Sequence, residues 1–242
     1  MKLKVMSYNV LTGAKGERLE QIVKVIRDYD PDVIGFQEVQ PMTLIGFQKL
    51  LCNDYDYLIL ARDNESFEST PLFYKKDKFN LIDGGSKWIS DTPDKMSKYA
   101  VSAYTRVYTY AVLEDKETGV RFTHLNTHID YIDEANTIQV YRLLELTEPL
   151  RNMPIFYTAD WNMYRESDGY RVMQANGMLD VALHTIDSHY GPTFPSSEAY
   201  IDFIFASVNG IKPTKYRVIN DHEFSATSSD HYPIYAELEI KN

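Results

Sequence analysis

Cysteine is almost missing from this chain: Cys52 is the only one among 242 residues. A lone thiol excludes a disulfide scaffold and a cysteine-based zinc site, and it suits a reducing compartment. Long apolar runs are missing too, so no segment has the length of a membrane span. The first residues, Met1 to Asn9, alternate like a strand from the outset and contain no signal-peptide hydrophobic region. A cytoplasmic protein is the expectation, save for a leader trimmed beforehand. Positive charge is in deficit, with 25 Lys and Arg against 35 Asp and Glu, a net charge of -10. Sequence-independent binding of nucleic acid depends on Lys and Arg displacing counterions from phosphates, so a long duplex is a disfavoured partner. A cation bound among several acids would locally reverse that sign. Repeats, low-complexity tracts and linkers are absent as well.

What remains is a chain with 44% hydrophobic residues, long enough to bury the core of one α/β domain spanning 1–242. Leu3 and Val5 alternate with Lys4 and Met6 in a first strand ending at Tyr8-Asn9. Leu19, Ile22, Val23 and Ile26 follow at helical spacing, closed by Asp30-Pro31. Val33 to Phe36 is then a short apolar strand running into Gln37-Glu38. Asn9 and Glu38 thus stand at the C-terminal ends of two strands joined by a helix, the edge where open α/β sheets usually bind ligands. Further on, a helix is expected over 47–52, strands at 58–60, 72–74 and 79–82, and a turn at Asp83-Gly84-Gly85. Residues 104–113 and 120–125 read as paired strands, the second running straight into Asn126-Thr127-His128-Ile129-Asp130. Helices are expected over 134–147 and 167–176, the latter capped by Gly177, and the last strand over 232–240.

Ile155, Phe156 and Tyr157 form an apolar run of β-formers that delivers Asp160 and Asn162 at its end. A strand continuing that far would point both side chains the same way. A carboxylate beside an amide can orient a water, a cation or a phosphate oxygen. An Asx turn accounts for the same two residues without any chemistry. Asp202 interrupts the apolar run 201–205, where an unpaired carboxylate needs a cation or a donor. A salt bridge or a turn cap would satisfy it equally. Taken singly, Glu38 fits a solvated loop residue and His128 a structural hydrogen bonder.

Six motifs follow one another in fixed order: Ser7-Tyr8-Asn9, Gln37-Glu38-Val39, Asn126-Thr127-His128-Ile129-Asp130, Ala159-Asp160-Trp161-Asn162, Ile201-Asp202-Phe203-Ile204 and Ser229-Asp230-His231-Tyr232-Pro233. Together they resemble the landmarks of the endonuclease/exonuclease/phosphatase superfamily over residues 4–238. The stretch Glu68 to Tyr74, Trp88 to Pro93, Arg106 ahead of Thr109-Tyr110-Ala111, and Thr193-Phe194 resemble its compact bacterial branch, near the nocturnin-type phosphoesterases. Ala159 replaces the usual Gly, while Tyr200 and Asn136 stand where arginines are common, so no substrate is carried across.

The resemblance implies a DNase I-like four-layer sandwich, two packed mixed β-sheets flanked by helices. It implies a Mg2+- or Mn2+-dependent phosphoric ester hydrolase, and oxygen ligands without cysteine favour those hard cations over zinc. By the same resemblance Glu38 is the principal metal ligand, assisted by Asn9 and Asp230. Asp160 activates the attacking water, and Asn162 orients it or a non-bridging oxygen. Asp202 holds the ring of His231, and His231 and His128 offer positive hydrogen bonds to the phosphate. Glu68 orients His128, and Arg106 is a structural or phosphate contact. His124, His184, His189 and His222 match no motif and are expected at the periphery. Two rivals stand beside a hydrolase of modest-sized esters: a DNA or RNA nuclease, and a non-catalytic binder of phosphoryl ligands. The second should have lost some of the acids or paired histidines, all of which are retained.

Overall fold

The computed structural model describes residues 1–241. Strand β1 (Lys2–Asn9) is buried on both faces from Val5 onward, as a central strand must be. Helix α1 (Gly16–Tyr29) lays Leu19, Ile22, Val23, Val25 and Ile26 into one apolar cluster with Met6, Tyr8 and Phe36, and ends where Asp30 turns left-handed. β2 (Val33–Gln37) then runs parallel to β1 with Gln37 opposite Asn9, so Asn9 and Glu38 leave the sheet at one edge. Helix α2 (Pro41–Leu51) starts well before the expected residue 47, because Pro41 is preset for a first helical turn. β3 (Tyr55–Leu58) and β4 (Leu72–Lys75) complete that side of the sheet.

β5 (Phe79–Trp88) passes straight through Asp83-Gly84-Gly85, where a turn was expected. The chain is bulged between Leu81 and Asp83 instead. Glycine serves close packing here: a Cβ on Gly84 would lie 2.6 Å from Leu58 Cδ1 and 3.0 Å from the Tyr110 carbonyl. β6 (Val107–Asp115) and β7 (Arg121–His128) form the expected antiparallel pair. Helix α3 (Asp133–Thr147) crosses over to β8 (Ile155–Asp160), which runs parallel to β7 and sets His128 opposite Asp160. After α4 (Asp168–Ala175), β9 (Met178–Asp180) and β10 (Asp187–His189), strand β11 (Asp202–Ser207) lies antiparallel to β8 and puts Asp202 opposite Asp160. β12 (Ile211–Val218) is polar and bulged near Pro213, which is why alternation did not reveal it. The short α5 (Ser225–Ser228) and β13 (Ile234–Ile240) close the chain.

The two mixed sheets are ordered β10-β12-β13-β1-β2-β4-β3 and β5-β6-β7-β8-β11-β9. Leu3, Val5 and Val33 of the first pack with Leu113, Phe122, Phe156 and Ile204 of the second in one core. Separate apolar clusters join α1 and α2 to the outside of the first sheet and α3 and α4 to the outside of the second, giving four layers. A polar network crosses the central layer toward the site. Gln37 Nε2 donates to Asn126 Oδ1 at 2.8 Å, Thr158 Oγ1 donates to the same oxygen at 3.0 Å, and His124 Nε2 meets Thr158 Oγ1 at 2.8 Å. Gly35 makes room for it, since a Cβ there would fall 2.0 Å from Thr158 Oγ1. Among the described residues no helix is long and apolar enough to cross a membrane.

Candidate active site

At the ends of β1, β2 and β8 the chain turns through the left-handed region at Leu11 (φ 53°), Glu38 (φ 63°) and Asn162 (φ 48°). Non-glycine residues in that region carry strain that the surrounding structure must hold in place. β8 stops at Asp160, so strand alternation does not bring Asn162 alongside it. The Asn162 backbone N–H donates to Asp160 Oδ1 at 3.0 Å, and the left-handed turn swings the amide inward. The Asx turn and the constellation are therefore one feature rather than competing readings. Asn162 Nδ2 donates to His128 Nε2 at 3.0 Å and to the Ile129 carbonyl at 3.1 Å. With both amide hydrogens engaged, Asn162 offers only Oδ1, an acceptor, to the opening. It can hold a water proton or a cation, but in this arrangement it cannot donate to a non-bridging phosphate oxygen.

Asp160 Oδ2 is the centre. Asn9 Nδ2 donates to it at 2.9 Å, His128 Nε2 stands 3.4 Å away and His231 Nε2 3.6 Å away. His231 Nδ1 donates to Asp202 Oδ2 at 2.9 Å. The other Asn9 amide hydrogen reaches Glu38 Oε1 at 3.1 Å, while Glu38 Oε2 accepts from the Thr12 N–H at 3.0 Å. Asn9 Oδ1 already accepts from the Leu11 N–H at 3.0 Å, so the residue links Glu38 to Asp160 more than it presents a ligand atom. Asp230 stays at the rim: its side chain is exposed, with only a long 3.4 Å contact from Ser229 Oγ among the described residues, and it reaches the site through its charge on His231.

Burial and the neighbouring Asp202 charge push the Asp160 carboxyl above the usual carboxylate range, against the pull of His231, Asn9 and the Asn162 N–H. Burial alone would lower His231, but Asp202 and Asp160 outweigh it and raise the imidazole to about 10. His128 goes the other way. Burial, then the charges of Arg106, His231 and Arg62, hold it well below its usual value. The expected pair of cationic histidines is thus one imidazolium, His231, and one neutral ring, His128, which accepts from Asn162.

Glu68 sits behind His128. Its Oε2 is 3.0 Å from Arg62 Nη2, and its Oε1 is 3.9 Å from both Arg106 Nη1 and His128 Nδ1. At that separation Glu68 makes no hydrogen bond to His128 and does not orient its ring directly; its carboxylate is engaged by Arg62 instead. Arg62 escaped sequence reasoning, its only signal being an Arg-Asp pair upstream of Glu68. Asn136, noted only for replacing an arginine, donates from Nδ2 to the carbonyls of Asp130 (3.0 Å) and Trp161 (2.6 Å), tying the two site loops together. His124 is no peripheral residue either: it is fully buried and stacked on Phe156. His184 bonds to the Asp180 carbonyl, His222 pairs with Asp28, and His189 lies on β10.

Among the described residues, Asp160, Asp202 and His231 offer ligand atoms within 4.8 Å of one another. A protonated His231 donates and does not ligate, so this group behaves as a hydrogen-bonded charged triad. Glu38 suits a hard cation better. Among the described residues its partly exposed carboxylate has hydrogen bonds only from Asn9 and Thr12, and Asp160 lies on the other side of the same Asn9 amide.

Mixed sheets packed face to face, with acids, amides and two histidines gathered at their strand ends, define a DNase I-like phosphoesterase scaffold. The sequence profile of the Endonuclease/Exonuclease/phosphatase family matches residues 6–231, and the chain belongs to that family. Members hydrolyse phosphoester bonds and use divalent metals. The mannosyl-6-phosphatase Bt3783 of Bacteroides thetaiotaomicron superposes with a TM-score of 0.86 at 27% identity, over 98% of this chain and 99% of that one. The human Nocturnin catalytic domain, solved with bound sulfate, superposes with a TM-score of 0.83 at 19% identity over 99% and 95% of the two chains, a likeness of fold. The Ccr4 subunit of Candida albicans, a CCR4-Not complex 3'-5'-exoribonuclease, is 22% identical over 93% of this chain. The chain spans only 37% of that relative and 20% of the Kluyveromyces lactis one.

Proposed function

We propose that the chain is a Mg2+- or Mn2+-dependent hydrolase of modest-sized phosphate esters, working by in-line attack of water on phosphorus. The observation that carries this reading is the setting of Asp160 Oδ2 among Asn9, His128 and His231. Asp160 takes the proton of the attacking water, and its raised proton affinity suits a base working near neutral pH. Asn162 Oδ1 accepts the water's other hydrogen and so fixes its direction. His231, charged and held by Asp202, donates to the phosphoryl oxygens as negative charge grows there. As the water oxygen bonds to phosphorus the ester P–O bond opposite it breaks, the departing oxygen taking its proton from His231. Neutral His128 holds the Asn162 amide, and burial with the charge of Arg106 keeps that ring unprotonated, while Glu68 holds Arg62 behind it. A divalent cation held at Glu38 would neutralise charge on the phosphoryl group.

The phosphatase among the structural neighbours supports a compact ester. The exoribonuclease relatives support a nuclease reading, which the net charge of -10 makes the less favoured of the two. The test is a panel of phosphomonoesters and phosphodiesters assayed with Mg2+ or Mn2+, with and without a chelator. Turnover that the chelator abolishes and added cation restores is expected. Binding of phosphate ligands with no turnover across the panel would leave the non-catalytic binder standing.

A further inference from the structure

Beside the Glu68–His128 end of the site, two large aromatic side chains face solvent. Tyr104 is 44% and Tyr131 57% exposed, and their rings meet at 60° with centroids 6.1 Å apart, forming a corner. The Tyr104 ring rests on two buried guanidinium groups, with Arg62 Cζ 4.4 Å and Arg106 Cζ 5.2 Å from its centroid. Cation–π contact of that kind favours a fixed ring. Both loops are held by one fully buried carboxylate: Asp130 Oδ2 accepts from the Tyr104 N–H at 3.0 Å and Oδ1 from the Ile132 N–H at 3.2 Å. Asp130 in turn follows His128 by two residues, so the corner is indexed to the site.

The charge behind the corner is not fully used. Arg106, only 3% exposed, keeps Nε and Nη1 without hydrogen-bond partners. Among the described residues Glu68 is the one carboxylate reaching both arginines. The positive charge of Arg62 and Arg106 lies under the Tyr104 ring, on the His128 side of the site, so a group carried by an anionic ester at Asp160 has Tyr104 and Tyr131 as its aromatic neighbours there.

We infer that Tyr104 and Tyr131 form the subsite for a ring carried by the phosphate ester, a sugar or a nucleobase, and that this subsite selects ring-bearing over acyclic substrates. The inference rests on the phosphoesterase reading. A ring stacked on the face of one tyrosine meets the other at an angle and dries both, whereas a flexible polar chain would leave them wet. Stacking of a base on an aromatic side chain is worth about tenfold or more in binding, and a sugar presents an apolar face to the same rings. Asp130 is a positioning residue for the corner and touches no reacting atom.

The experiment compares a hexose phosphate, adenosine monophosphate and glycerol phosphate on the wild type, Tyr131→Ala, Tyr104→Leu and Tyr131→Phe. The ratio of kcat/KM for a ring substrate over glycerol phosphate should fall about tenfold in the first two variants, through KM, and be kept by Tyr131→Phe. The ring probe that shows the fall distinguishes sugar from base. Equal loss on all three probes, or no loss, overturns the subsite. A wild type that hydrolyses none of them defeats the phosphoesterase reading separately. Calorimetric titration with the same probes then reads the subsite alone: a preference for a ring that Tyr131→Ala removes supports it, and equal or absent binding overturns it.

Discussion

Asn9 and Asp160 belong to different sheets and are joined by one hydrogen bond, Nδ2 to Oδ2 at 2.9 Å. The second hydrogen of the same amide goes to Glu38 at 3.1 Å. One small side chain thereby spaces two carboxylates that would otherwise repel, and sets the proposed cation ligand beside the proposed base.

Asn9→Ala should leave a folded protein whose turnover falls by roughly ten- to a hundredfold, the usual effect of losing a group that orients a metal's ligand. Steady-state kinetics with circular dichroism as the folding control checks this. Wild-type turnover in the purified variant would show that the bridge is ornamental.

Asp160→Asn should separate activity from stability. The Asp160 carboxyl is held above its unfolded value, so its ionised form is disfavoured by folding at neutral pH. Removing the charge should abolish most turnover and yet raise the melting temperature of the chelator-treated protein. A lowered melting temperature would mean that the Asp160–His231 attraction outweighs burial and Asp202.

His231 sets a second pH signature. Its pKa rises from 6.5 to about 10 on folding, so its contribution to stability is full below pH 6.5 and is lost as pH climbs through about 10. Thermal melts in chelator should show stability declining over that interval. Asp202→Asn, which removes the strongest pull on the proton, should flatten the decline. The alkaline limb of the rate profile should move down with it. Identical slopes in both proteins would assign the titration elsewhere.

Gly35→Ala tests the contact between the sheets. The added Cβ would fall 2.0 Å from Thr158 Oγ1 and 2.3 Å from Asn126 Oδ1, both in the buried network. Overpacking combined with broken buried hydrogen bonds should cost on the order of 3 kcal/mol. Urea unfolding measures it, and a loss below ~1 kcal/mol would show that the sheets part easily.

Much of this was readable in the chain itself. Helix α1, strands β1 and β2, the places of β7 and β8 though not their last three residues, and the family landmarks rest on short-range periodicity and ordered motifs. Misreadings fell where long-range packing decided the local form. The glycines of β5 sit inside a strand because Leu58 and Tyr110 press on them. The polar strand β12 exists because β13 pairs with it along its length.

Residue types, their order, and hence the class of fold and chemistry follow from the sequence by itself, since hydrophobic spacing and strand-end motifs are local properties. The state of those residues does not. His128 is neutral and His231 charged because different neighbours, distant in the chain, surround two identical rings. Asn162 is confined to accepting because His128 and Ile129 hold its hydrogens, and Arg62 matters only through the carboxylate and ring it meets in space. Charge and hydrogen-bond direction depend on burial and on partners brought together by folding, so only the tertiary structure could decide them.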